Sequence, residues 1–227
     1  MDETLKFENF NTATNATLIA HIKNMLSMRI SVAEELTYQG AVIWGDSSSG
    51  KTHLLAAISD YYHTQLDGKV CWLGQQPVDQ GQVMRGDAKL LYVLDDFDEA
   101  AEDINAEKKL LSIVEQIKQQ DSLLIISSKR SAKRMNVSLA DLSSRLQAMD
   151  SFELNVLEDE HKREVLKQKA KQRGFSLSGD VLNWLFTHTS RDLGVLNALL
   201  DQIDEASLAQ HRKVTIPLIK AILEVDT

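Results

Sequence analysis

The stretch Gly45-Asp46-Ser47-Ser48-Ser49-Gly50-Lys51-Thr52 constrains the fold of this 227-residue chain more than any other. It fits the phosphate-binding pattern G-x-x-x-x-G-K-[ST], a motif that also occurs by chance in polar turns. Its flanks decide the matter. Ala41-Val42-Ile43-Trp44 precedes it as a short apolar run that predicts a buried strand, and His53-Leu54-Leu55-Ala56-Ala57-Ile58 follows with a helical pattern. Strand, glycine-bracketed loop and helix N-terminus together make an anion site, because the loop's N–H groups converge on phosphate oxygens. In that arrangement Lys51 reaches the β- and γ-phosphates and the Thr52 hydroxyl sits on Mg²⁺. His53 either touches the nucleotide or packs on the helix's first turn. The expected ligand is a nucleoside di- or triphosphate with Mg²⁺.

A second acidic element follows. Leu90-Leu91-Tyr92-Val93-Leu94 predicts a strand that ends in Asp95-Asp96. Two carboxylates there can merely open a turn. Behind a phosphate loop each acquires a role. Asp95 contacts Mg²⁺, directly or through water, and Asp96 polarises an attacking water.

Around these motifs strands and helices alternate. Helices are expected over Thr12–Met28, with Asn15 or Thr17 as cap, over Ser31–Tyr38, and from the phosphate loop to near Gly68. Lys69–Leu73 is a second strand and Gln75–Gly86 a polar loop. A strongly amphipathic helix spans Asn105–Gln120, Leu123–Ile126 is a fourth strand, Leu139–Leu146 a short helix, and Phe152–Val156 alternates as a fifth strand. Such alternation predicts an open parallel α/β sheet. Beyond residue 156 only helices are expected: Glu160–Arg173, Ser178–His188, Arg191–Gln210 and Ile216–Val225, with Gly174 stopping the first and Pro217 in the first turn of the last. Two domains follow, a nucleotide-binding α/β domain over 1–156 and a small helical domain over 157–227.

Composition excludes several classes. The net charge of −8 argues against a protein that coats nucleic acid, which needs a basic face. The one local exception, Lys129-Arg130 with Lys133-Arg134, reads either as a partner-facing patch or as a solvated loop. No apolar run is long enough to span a bilayer, and no signal segment opens the chain, so the default location is cytoplasmic. The lone Cys71 reads as buried filler, and Trp44, Trp72 and Trp184 as core.

Phosphate loop, Asp-Asp strand, fourth strand and helical tail, in that order, resemble the AAA+ ATPases, and within them the DnaA/Hda branch. The supporting strings are Phe7-Glu8-Asn9-Phe10, Trp44-Gly45 through Leu55, Asp141-Leu142-Ser143-Ser144-Arg145-Leu146, Lys171-Gln172-Arg173-Gly174-Phe175 and Arg212-Lys213-Val214-Thr215-Ile216-Pro217. The resemblance implies a sheet of strand order 5-1-4-3-2 followed by a helical lid, with ATP or ADP as the nucleotide. It implies that Arg145 is an arginine finger acting on a neighbouring subunit, although a helix-end arginine in a surface ion pair would look the same. It implies that Arg191, at the start of the third lid helix, contacts the nucleotide of its own chain; simple packing is the alternative. Ser128 stands where a sensor residue ends the fourth strand, although Ser127-Ser128-Lys129 lacks the aspartate that the initiators carry there.

The implied partners are DnaA, further AAA+ subunits through self-association, and the sliding clamp, for which the first ten residues lack the short glutamine-leucine motif. The implied function is a nucleotide-switched regulator that promotes hydrolysis of DnaA-bound ATP. A self-assembling ATPase, such as a helicase loader or clamp-loader-like subunit, is the alternative. A DNA-targeting or membrane-associated adaptor is a weaker third reading.

Overall fold

The computed structural model describes residues 7, 15–31, 40–73, 90–210 and 214–225. The expected helix Ser31–Tyr38 and the loop Gln75–Gly86 fall outside these residues, as do Glu8–Phe10 and the Arg212-Lys213 pair, apart from Ser31 itself. The chain divides into two compact units, Met1–Val156 and Leu157–Thr227.

The first unit is built on five parallel strands: β1 (Gly40–Trp44), β2 (Lys69–Leu73), β3 (Leu90–Leu94), β4 (Leu123–Ser128) and β5 (Asp150–Glu153). Their order is β2-β3-β4-β1-β5, the 5-1-4-3-2 arrangement read from the other edge. All four pairings are parallel. The apolar runs of β1, β3 and β4 are buried on both faces, as a sheet covered by helices on each side requires. Side-chain alternation sorts them into two cores. Ala41, Ile43, Leu91, Val93, Leu123 and Ile125 pack with α1 (Ala16–Ser31) and α2 (Lys51–Thr64). Val42, Tyr92, Leu94, Leu124 and Ile126 pack with α3 (Phe97–Ala100), α4 (Ile104–Gln119) and α5 (Ala140–Gln147). Phe7 joins the first core and meets Tyr61 edge-on, with ring centroids 5.6 Å apart.

Four local expectations are corrected. Asn15 does not cap α1 with its side chain. Its carbonyl starts the helix by accepting from the Ile19 N–H, while its amide pairs with the backbone of Asn155, donating to the carbonyl at 3.2 Å and accepting from the N–H at 3.0 Å. This side-chain bridge takes over where β5 ends at Glu153, so the strand stops short of the predicted Val156. Trp72 is 38% exposed, because β2 is the sheet's edge strand and covers only part of its surface. Cys71 on the same strand is half-buried rather than buried.

The second unit holds α6 (Asp159–Gln172), α7 (Gly179–His188), α8 (Leu193–Gln210) and α9 (Ile216–Val225) around its own apolar core, which includes Leu166, Leu182, Phe186, Leu200, Ile203 and Ile219. Gly174 ends α6 at φ 87°, a left-handed conformation that favours glycine. Ser178 caps α7 by accepting from the Val181 N–H. Among the described residues no helix is long and apolar enough to cross a membrane.

Candidate nucleotide site

The loop between β1 and α2 forms the site. Its entrance is fixed from both sides: the Gly45 N–H donates to the carbonyl of Ser128 at the end of β4, and the Leu154 N–H donates to the Trp44 carbonyl. A β-carbon on Gly45 would lie 2.6 Å from the Leu154 carbonyl oxygen, so only glycine fits there. The Ser49 N–H closes the turn onto the Asp46 carbonyl. Gly50 then takes φ 92°, the conformation that turns the chain into α2. No side chain caps α2 and no acidic residue lies in its first turn, so its leading N–H groups are left for an anion.

Lys51 is only 4% exposed, and its Nζ donates to the carbonyls of Gly45 and Asp46, both at 2.8 Å. Burial lowers its pKa, while the charges of Asp96, Asp95 and Asp98 pull it back up. The ammonium is thus wrapped in the carbonyls of its own loop. Ser49 Oγ is buried with no hydrogen-bond partner, an orphaned polar atom inside the cradle. Asp46 and Ser47 are exposed and Ser48 is half-exposed. His53 sits half-buried on the first turn of α2. The loop therefore fits a polyphosphate.

The acidic strand end meets the loop. Thr52 Oγ1 donates to Asp95 Oδ2 at 2.7 Å, joining the two residues assigned to Mg²⁺. A magnesium ion takes few protein ligands and completes its shell with phosphate and water, so one hydroxyl and one carboxylate fit it. Asp96 adopts φ 49° and ψ 57°, a left-handed conformation unusual outside glycine. Partial burial raises its pKa, and the nearby charges of Asp95 and Glu99 raise it further, against Lys51 and Lys129. A carboxylate kept basic beside the loop suits proton removal from water.

The end of β4 differs from the reading of the sequence. Ser128 donates to Asp98 Oδ2 at 2.8 Å and is thereby engaged with α3. Ser127 instead reaches the acidic pair: its Oγ donates to Asp95 Oδ1 and accepts from the Asp96 N–H at 2.8 Å. Strand β4 is buried throughout and carries no apolar/polar alternation; adjacent residues of a strand face opposite sides, so only one of the two serines can meet the acidic pair.

Each of the two arginines is held in an ion pair. Arg145, on α5, pairs with Glu115 of α4 at 2.6 Å, and both side chains are about one-third exposed, at 38% and 34%. Helix α5 is held by a second α4 carboxylate: Glu107, 2% exposed, accepts from the Ser138 and Leu139 N–H groups at 2.9 and 2.8 Å. In the second unit, Arg191 precedes α8, whose first residue is Leu193; Asp192 caps that helix through the Gly194 and Val195 N–H groups. Arg191 Nη1 pairs with Asp159 at 2.7 Å, its Nε donates to the Phe186 carbonyl, and the buried Lys162 ammonium donates to the Arg191 carbonyl at 3.0 Å. None of Glu107, Glu115, Asp159 and Lys162 was singled out from the sequence.

A parallel sheet of this order, with a phosphate loop after β1 and paired carboxylates after β3, defines a P-loop NTPase of AAA+ architecture. Comparison with known proteins agrees. The family model "Novel STAND NTPase 3" matches residues 31–172, and the model "Hda, lid domain" matches residues 159–223. An uncharacterized protein of Haemophilus influenzae is 38% identical over 186 residues, covering 81% of this chain and 80% of that one. Domain III of the Thermotoga maritima replication initiation protein DnaA superposes with a TM-score of 0.80 at 16% identity, over 99% of this chain and 97% of its own. A structure of the replication initiator DnaA bound to AMPPCP and single-stranded DNA gives 0.68 at 18% identity, over 93% and 69%. The chain belongs to the family of the model that spans more than half of it, the STAND NTPases, and its fold is the AAA+ fold of the DnaA structures, with a C-terminal segment similar to the Hda lid domain.

Proposed function

We propose that this chain is an adenine-nucleotide-binding regulator of replication initiation, which docks on DnaA in the cytoplasm and promotes hydrolysis of DnaA-bound ATP. The observation that carries this reading is the setting of Arg145. Its guanidinium is partly exposed on a short helix and is paired with Glu115, outside its own chain's phosphate loop. A partly exposed guanidinium is open to contact from another subunit, which supports the reading. In a mixed interface Arg145 stabilises the charge that builds on the transferring phosphate.

In its own site the chain holds ATP or ADP on the 45–52 loop. Lys51 lies along the phosphates, Thr52 and Asp95 hold Mg²⁺, and Arg191 of the lid meets the nucleotide. Ser49 supplies a hydroxyl to the phosphates, and His53 borders them. The metal's contribution is to neutralise phosphate charge; the chain's residues bind and orient. Bound nucleotide then serves as a structural switch. AMPPCP on the related DnaA supports an adenine nucleotide here.

A second reading is favoured by a specific observation. The Thr52–Asp95 hydrogen bond and the raised pKa of Asp96 are what a working hydrolase needs. In that reading the chain assembles with its own kind and turns over ATP, with Asp96 activating water. One experiment separates the two: ATP turnover by the pure protein, alone and with ATP-loaded DnaA, for wild type and Arg145→Ala. Turnover that appears only in the mixture and needs Arg145 supports the regulator. Turnover by the protein alone, indifferent to DnaA, overturns it in favour of the self-assembling ATPase.

A further inference from the structure

Two adjacent hydroxyls end β4, and their hydrogen bonds divide them. Ser128 serves the fold: it donates to Asp98, which also accepts from the Lys129 N–H at 2.6 Å, and this ties α3 to the strand. Ser127 is fully buried and serves only the acidic pair. A serine hydroxyl has one proton and two acceptor positions. Here the proton goes to Asp95 Oδ1, and one acceptor position takes the Asp96 N–H.

The consequence is geometric. Asp95 is held at both oxygens, Oδ1 by Ser127 and Oδ2 by Thr52 Oγ1. Its plane is therefore fixed before any cation arrives. Asp96 is held along its backbone: its N–H donates to Ser127 Oγ at 2.8 Å and, at the longer distance of 3.2 Å, to Asp95 Oδ1, and its carbonyl accepts from the Glu99 and Ala100 N–H groups at 2.9 and 3.2 Å. Asp96 adopts a left-handed backbone, as aspartate can, and these hydrogen bonds hold it there. One hydroxyl is thus the shared support of the carboxylate assigned to the metal and the carboxylate assigned to water.

We propose that Ser127 is a positioning residue that couples the two: it orients Asp95 for a divalent cation and transmits the state of Asp95 to the Asp96 backbone. A cation drawing on the Asp95 carboxylate makes Oδ1 a weaker acceptor, and in a hydrogen-bond chain that change alters the neighbouring bond to Asp96. This rests on the nucleotide-site reading given above and gives the shorter of two hydrogen-bonded routes from Asp95 to the Asp96 N–H, the other being the direct 3.2 Å contact. Groups that orient a metal ligand from behind typically matter by about ten- to a hundredfold in metal affinity.

The test is ATP binding by isothermal titration calorimetry, on the full chain, with Mg²⁺ varied and with Mg²⁺ chelated. Ser127→Ala is expected to raise the Mg²⁺ concentration needed for half-maximal enhancement of ATP affinity by about tenfold. ATP affinity in chelator is expected to stay within about twofold of wild type, since Lys51 and the loop N–H groups are untouched. Ser127→Thr keeps the hydroxyl and is expected to restore the wild-type Mg²⁺ dependence, which a merely space-filling role would not demand. Thermal denaturation of each variant shows whether the fold persists; if Ser127→Ala is unfolded, the threonine variant must still match wild type.

Equal loss of ATP affinity with and without Mg²⁺ overturns the proposal, and so does a threonine variant as impaired as alanine. A wild-type protein whose ATP affinity depends on Mg²⁺, with Ser127→Ala indistinguishable from it, sinks the role of Ser127 and leaves the nucleotide site standing. A wild-type protein that binds ATP without regard to Mg²⁺ refutes the assignment of Thr52 and Asp95, and the proposal falls with it.

Discussion

Replacing Glu107 with alanine is expected to destabilise the first unit by about 2–3 kcal/mol, since it removes two hydrogen bonds between a carboxylate and backbone N–H groups, each worth upwards of about 1 kcal/mol. The setting makes the estimate concrete. Glu107 is 2% exposed, on the inner side of α4, and its two oxygens separately accept from Ser138 and Leu139. Those N–H groups stand at the entry of α5, where no side chain of the helix's own cap residue provides a bond. Deleting the carboxylate leaves them to water that can enter from the exposed side of Ser138, which keeps the cost below the full penalty for burying bare donors. For a unit of this size about 2–4 °C is lost per kcal/mol, so the midpoint should fall by roughly 5–10 °C. Glu107→Gln offers one acceptor oxygen and turns an N–H₂ against the other donor, so it should fall between wild type and alanine. Calorimetry gives the global loss, and amide hydrogen exchange locates it, with the α5 amides exchanging faster in the alanine variant. An alanine variant within about 0.5 kcal/mol of wild type, with α5 exchange unchanged, would refute the view that α4 holds α5 by this contact.

Two further outcomes follow from the same contacts. The Arg145–Glu115 pair is more than one-third exposed on the arginine side, so Glu115→Ala should cost no more than about 1 kcal/mol in urea denaturation, less at high salt. If Arg145 acts on DnaA, Glu115→Ala should leave stimulated ATP turnover at or above wild type; a loss equal to that of Arg145→Ala would show that the arginine works only through its own chain. Asp96 has a folded-state pKa raised above its ordinary value, chiefly by burial. The folded state therefore binds its proton more tightly than the unfolded chain does, and ionisation costs stability as pH rises through the folded-state value. Asp96→Asn should be more stable than wild type at neutral pH, with the difference vanishing below the ordinary carboxylate range; denaturation midpoints at several pH values test this, and a difference independent of pH would contradict it.

The phosphate loop and the acidic strand end were legible in the sequence because their chemistry is local. Gly45, Gly50, Lys51 and Thr52 act within one turn of chain, and Asp95 follows directly on an apolar strand. The sheet's order came with the resemblance that those motifs carry, and the helical tail showed in the change of periodicity after Val156. What was not legible depends on partners far away in sequence. Asn15 looks like a helix cap, yet its amide binds the backbone of Asn155 across the unit. Trp72 looks like core until β2 is known to be an edge strand. Ser127 and Ser128 are chemically identical, and a strand turns adjacent side chains to opposite faces; only the neighbouring ends of β3 and α3 decide which meets Asp95 and which meets Asp98. The ion pairs of Arg145 and Arg191 with Glu115 and Asp159 are likewise set by packing between helices.

These distant contacts share a pattern that bears on function. Four residues with proposed roles are held by an acidic or hydroxyl group from a different element: Asp95 and Asp96 by Ser127 of β4, Arg145 by Glu115 of α4, and Arg191 by Asp159 of α6. The buried support at the acidic pair fixes geometry, since its only hydroxyl is spent on the two carboxylates. The exposed supports at the arginines do not, because a surface ion pair is weak enough for a competing anion to replace its carboxylate. The groups proposed to hold a metal and a water are thus locked, whereas the groups proposed to reach for phosphate are only restrained. For Arg191 the exchange is eased further: Lys162, 4.0 Å from Asp159, remains beside the carboxylate when the guanidinium leaves, so no bare charge is left behind. Restrained arginines in a chain with a locked acidic pair are the division that a nucleotide-responsive protein requires.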